Sequence, residues 1–127
     1  MSSGTRAARA APRSRDQILK IKIISMGEAR TGKSCLIKRY CEDKFISKYI
    51  STIGVDYGVK RLNLGSMEVR INMWDFAGGE EYREVRNEFY KDTQGAVLVY
   101  DVTDRQSFEA LGRWLEESAT CGGKDAI

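Results

Sequence analysis

From Ile18 the chain reads ILKIKIIS, apolar and basic residues alternating before the run becomes solidly apolar and meets Gly27. This pattern predicts a strand that feeds a glycine turn. Directly beyond the turn, Leu36, Ile37 and Tyr40 recur at helical spacing, which predicts a helix from Lys33 to Cys41. After a polar, irregular stretch, VDYGVKRLNL and MEVRINMWD alternate with period two on either side of Gly65-Ser66, the pattern of a β-hairpin. A helix over Glu81 to Lys91 comes next. GAVLVYDV is a short continuous apolar run, as expected of a strand buried on both faces, and SFEALGRWLEES predicts an amphipathic helix with Phe108, Leu111 and Leu115 on its inner side. The order β-α-β-β-α-β-α predicts an α/β sandwich.

Composition narrows this picture. A chain of 127 residues, 42% hydrophobic, suits one domain with a real core, and no apolar run approaches the ~20 residues of a membrane span. The net charge of +3 belongs to the tail: Arg6, Arg9, Arg13 and Arg15 precede the first acid, leaving residues 16–127 at −1. Residues 1–16 are Ala-, Ser- and Arg-rich without hydrophobic periodicity, which predicts a disordered basic tail; an organelle transit peptide is the alternative reading of the same composition. Four arginines without interleaved aromatics give no basis for sequence-specific nucleic-acid binding. Cys35, Cys41 and Cys121 show neither metal-ligand spacing nor a disulfide framework, as expected of reduced intracellular thiols.

The chemistry is concentrated in GEARTGKS, Gly27 to Ser34, which satisfies G-x-x-x-x-G-K-[ST] between a predicted strand and a predicted helix. Gly27 and Gly32 let the backbone turn and approach phosphate closely, and the intervening Glu28, Ala29, Arg30 and Thr31 present backbone N–H groups at the positive end of the helix that continues through Cys35. Lys33 puts a point charge on the β and γ phosphates, and the Ser34 hydroxyl can ligate Mg²⁺. Further along, WDFAGGEEY places Asp75 at the end of a strand with Gly78 three residues on. A carboxylate so placed can hold Mg²⁺ through water, and the glycine can offer its N–H to a γ-phosphate. Thr52 lies nineteen positions beyond Lys33 on the irregular connection.

In order and spacing, GEARTGKS, STIGVDY, WDFAGGE and GAVLVYDVT resemble the small GTPases of the Ras/Rab superfamily across Ile18 to Leu115, most of all the Rab-like GTPases that carry a C-terminal J domain. The resemblance implies a P-loop NTPase fold, a three-layer α/β/α sandwich with a mostly parallel sheet over residues 17–127. It implies GTP or GDP and Mg²⁺ as ligands, and a GTP-binding switch as the function. Thr52 takes the position of the switch I threonine that ligates Mg²⁺ and contacts the γ-phosphate, and Asp75 and Gly78 take those of the switch II pair. Phe45 falls where the family sets an aromatic against guanine. Tyr49 falls where it closes over the phosphates, and packing is the alternative for both aromatics. Effectors and regulators would bind through Phe45–Asp56 and Asp75–Val85.

Two departures qualify this resemblance. Most Ras and Rab proteins have glutamine after the switch II glycine, to orient the attacking water; this chain has Gly79. The activator-assisted acceleration associated with that glutamine is ~10⁵-fold, about 7 kcal/mol of barrier, so weak or no hydrolysis is expected. Ala29 and Arg30 add bulk where the commonest family loop has glycines. Guanine selection in the family rests on N-K-x-D and S-A-K elements, neither of which occurs before Ile127, so the C-terminal part of the fold is expected to be missing and GAVLVYDV to form a long apolar edge. A non-catalytic interaction module, or an inactive truncation product, is the alternative function. No lipid anchor is evident, and a cytoplasmic or nuclear location is expected.

Overall fold

The computed structural model describes residues 17–43, 54–123 and 126. The expected tail and three candidate site residues, Phe45, Tyr49 and Thr52, lie outside them. Strand β1, Ile18–Met26, becomes buried over Ile24, Ser25 and Met26, where the apolar run is continuous. Helix α1, Lys33–Glu42, follows the glycine turn as expected, turning Ile37 inward and leaving Leu36 and Tyr40 largely exposed. Strands β2, Val55–Leu64, and β3, Met67–Phe76, pair antiparallel in a register that closes with Leu64 opposite Met67. Gly65 opens the two-residue turn with φ of 65°, the left-handed geometry such hairpin turns demand.

The sheet runs β2-β3-β1-β4, where β4 is Gly95–Leu98. β1 is parallel to β3, with Ser25 opposite Asp75, and parallel to β4, with Met26 opposite Leu98. The expected α/β class is therefore the observed one, a mixed and mostly parallel sheet with helices. Its core gathers Ile24, Met26, Phe76, Tyr90 and Trp114, with the Phe76 and Tyr90 rings in edge contact at 5.1 Å.

Three expectations need correcting. The helix over Glu81 to Lys91 is instead a 3₁₀ turn, Glu80–Tyr82, and a short helix α2, Arg83–Asn87. The chain tightens at Phe89, whose N–H donates to Arg86 O at 2.8 Å, and Asp92 takes a left-handed φ of 57°, turning the backbone into β4 once Tyr90 is buried. The GAVLVYDV strand is shorter than expected and is not buried on both faces. β4 stops at Leu98, occupies the sheet edge, and leaves Val97 and Tyr100 exposed.

The predicted amphipathic helix is two helices, α3, Arg105–Glu109, and α4, Leu111–Thr120. Their inner face is Ser107, Ala110, Trp114, Glu117 and Ser118, whereas Phe108 and Leu115 are 53% and 52% exposed. The face rotates because Trp114 carries more apolar surface than a leucine and because Glu117 finds partners inside that satisfy its charge. No helix of the described residues is long and apolar enough to cross a membrane.

Candidate functional site

The turn after β1 has backbone geometry that only glycine fits at two points. Gly27 has φ of 146°, and a Cβ there would lie 2.2 Å from Val99 O. Gly32, with φ of 99°, starts α1 without a side-chain cap, so the helix opens onto the turn. Arg30 is also left-handed, at φ of 70°, and is exposed. Thr31 Oγ1 donates to Glu28 O at 2.8 Å and pins the loop from within.

Lys33 is buried, and its Nζ donates to Gly27 O at 2.8 Å and Glu28 O at 2.9 Å. The loop thus wraps around its own lysine. Burial lowers the ammonium to about 8, against the opposing pull of the Asp75 and Glu28 charges. A phosphate beside it would favour the charged form.

Asp75, at the end of β3, is 2% exposed. Its Oδ1 accepts from Ser25 Oγ at 3.1 Å, and its Oδ2 accepts a short hydrogen bond from Ser34 Oγ. The β1–β3 register produces the first contact by setting Ser25 opposite Asp75. The second brings together the two hard oxygen donors expected at a cation site. They suit Mg²⁺, which keeps several waters and takes phosphate oxygens rather than a full protein cage. Among the described residues no group of three or more His, Cys, Asp or Glu could hold a metal ion.

Gly78 sits against the loop. A Cβ there would come 2.4 Å from Ala29 N and 2.7 Å from Glu28 C, so two backbones meet at a distance that excludes a side chain. Gly79 differs: its φ of −71° and ψ of 147° are ordinary, and the atoms nearest its Cβ would be those of the flexible Glu81 carboxylate. No backbone demand explains the glycine at that position.

The structure therefore brings Gly27 to Ser34, Asp75 and Gly78 into one place, with Cys35 half-buried in the first turn of α1. Several participants carry no sequence signal of their own. Ser25 is one, visible only as a polar residue in an apolar strand end. Arg86, Trp114 and Glu117 are others: Trp114 Nε1 donates to Glu28 Oε2 at 2.8 Å, and Arg86 Nη1 donates to Ala77 O at 2.9 Å and Gly79 O at 2.6 Å.

A glycine loop wrapped around a buried lysine, a serine and a strand-end aspartate sharing one hydrogen bond, and a glycine segment pressed on the loop define an α/β domain of the P-loop class. The Ras family model matches residues 22–126, and the chain belongs to that family. Its relatives include DnaJ homolog subfamily C member 27 of Homo sapiens and of Bos taurus, each 59% identical over 99 residues, and that of Gallus gallus at 58%. Each alignment covers 78% of this chain and 36% of the relative, so the chain spans about a third of the length of the curated proteins it matches. These relatives are the Rab-like GTPases with a J domain that the sequence motifs resemble.

Proposed function

We propose that this chain binds guanine nucleotide and Mg²⁺ through Gly27–Cys35 and Asp75, and acts as a GTP-operated switch with slow hydrolysis. The observation that carries the reading is the Ser34–Asp75 hydrogen bond beside the wrapped Lys33, which sets a metal-type donor pair next to a phosphate-type cation. Lys33 would exchange its loop carbonyls for β and γ phosphate oxygens. Ser34 and Asp75 would hold Mg²⁺, which when bound neutralises phosphate charge. Thr52 would complete the cation site from switch I, with Phe45 against guanine and Tyr49 over the phosphates. Gly78, already against the loop, belongs to the segment that would respond to a third phosphate.

Gly79 has no side chain with which to orient water. That supports a protein that stays GTP-loaded and works by what it binds through Phe45–Asp56 and Asp75–Val85. Tyr57, Trp74 and Phe89 pack with tilted rings whose centroids lie 4.5 and 5.2 Å apart, and Tyr57 is half-exposed, an aromatic surface suited to a protein partner. This surface also favours the second reading, an interaction module without catalysis.

The test is to purify the chain without added nucleotide, release what it carries by heat and identify it by chromatography. Stoichiometric GTP or GDP supports the switch, with excess GTP supporting slow hydrolysis. Empty protein that shows no thermal stabilisation by GTP and Mg²⁺ overturns it, because ligand at 100 times Kd adds about 2.7 kcal/mol. Partner binding that is independent of nucleotide would favour the interaction module.

A further inference from the structure

We propose that Arg86 and Glu117 are positioning residues that hold the segment around Gly78 against the phosphate loop and thereby set how well the protein tells GTP from GDP. The proposal rests on the nucleotide-switch reading above.

Arg86 and Glu117 are both buried, an arrangement that is costly for charged groups unless every polar atom finds a partner. Here the pairing is close to complete. Arg86 Nε and Nη2 donate to the two Glu117 oxygens at 2.8 and 2.9 Å, and Nη1 donates to Ala77 O and Gly79 O. The Tyr90 hydroxyl donates a hydrogen bond to Glu117 Oε2, and Arg83 Nε stands 3.6 Å from Glu117 Oε1. The guanidinium lies 4.3 Å from the Trp114 ring. Burial alone would neutralise the pair, but their mutual hydrogen bonds and charges reverse it, holding Arg86 above and Glu117 below their ordinary values.

Two apolar side chains could join α2 to α4 without desolvating any charge. What the ion pair adds is geometry. One planar group fixes the carbonyls on both sides of Gly78, and no apolar residue can do that. Trp114, which stacks against the guanidinium, reaches the other way and holds the side chain of Glu28 in the phosphate loop. Helix α4 therefore grips both chain segments that meet at Gly78 and Ala29. A diphosphate should be indifferent to that junction, whereas a triphosphate needs the Gly78 segment already in place. Releasing the segment adds an ordering cost to GTP binding alone.

The test measures Kd for GDP and for a non-hydrolysable GTP analogue, with Mg²⁺, in wild type, Arg86→Lys and the double variant Arg86→Met/Glu117→Leu. The first keeps a charge but cannot reach Glu117 and both carbonyls together. The second removes the pair without stranding either charge, so that a folded protein remains even if Arg86→Lys unfolds. Each is checked by near-UV circular dichroism. The expected result is a fall of about tenfold in preference for the GTP analogue over GDP, with GDP affinity within threefold of wild type. A folded variant with the wild-type preference overturns the proposal, as does an equal loss for both nucleotides, the mark of a purely structural role. Wild type that binds neither nucleotide overturns the switch reading itself, and this proposal with it.

Discussion

Replacing Gly78 and Gly79 in turn by alanine applies the same chemical change at adjacent positions with opposite expected outcomes. At Gly78 the new methyl would lie 2.4 Å from Ala29 N, 2.7 Å from Glu28 C and 2.9 Å from Ala29 Cα. Ordinary contact begins near 3.5 Å, so one backbone must retreat by about 1 Å. The phosphate loop is poorly able to yield, because Glu28 O accepts from Lys33 and Thr31 and the Glu28 carboxylate from Trp114. Nor is the other side free, with Ala77 O and Gly79 O both held by Arg86. Overpacking of this kind costs about 1–3 kcal/mol. At Gly79 the three atoms nearest the methyl all belong to the Glu81 carboxylate, which is exposed and can swing away, and the backbone conformation is one alanine favours. Gly79→Ala should therefore be neutral or stabilising by up to about 1 kcal/mol, through the unfolded chain. Urea midpoints at constant m would report both, and Gly78→Ala should melt at least ~4 °C below Gly79→Ala. Equal losses at the two positions would refute the claim that the Gly78 approach is tight and the Gly79 position permissive.

Gly79→Gln should be tolerated for the same reason and should raise single-turnover GTP hydrolysis by on the order of 10–100-fold by positioning water; an unchanged rate would locate the slowness elsewhere. Ser34→Ala removes the donor to Asp75 and a proposed Mg²⁺ ligand. It should cost about 1 kcal/mol of stability, and nucleotide release from this variant should no longer accelerate when EDTA is added. Glu117 has its folded-state pKa lowered below 4.5, so its contribution to stability is complete above that value and is lost as pH falls through the folded pKa. Urea midpoints measured from pH 7 to pH 3 should fall in the acid range, less steeply in Glu117→Gln. Trp114→Phe keeps an aromatic face for Arg86 but leaves Glu28 without its N–H donor, for an expected loss of about 1–2 kcal/mol in the same assay.

The elements that were legible in the sequence are those whose signal is local. β1 and its glycine turn, the hairpin at Gly65-Ser66 and the Gly27 to Ser34 loop each declare themselves within ten or so residues, through alternation or backbone need. The inner face of α3 and α4 does not. Counting apolar residues picks out Phe108 and Leu115, whereas Glu117 is buried because Arg86, 31 positions away, satisfies it. The expected helix to Lys91 ends early for a similar reason, since the burial of Tyr90 and the left-handed turn at Asp92 are set by tertiary packing. At the site, Gly27, Lys33, Ser34, Asp75 and Gly78 could be named from spacing. Ser25 could not, because its role arises only when β1 and β3 come into register.

Because β1 lies between β3 and β4, it leaves the ribosome before either of the strands it pairs with. At ordinary elongation rates roughly 4–14 s separate the synthesis of Met26 from that of Leu98. The β2–β3 hairpin can close within microseconds of being made, and until then ILKIKIISM has neither neighbour. The exposed Lys20 and its neighbour Lys22 interrupt that run and shield it from self-association while it waits. A Lys20→Val exchange would leave the finished sheet little altered and would register instead in the nascent chain, as a smaller soluble fraction at the same rate of synthesis.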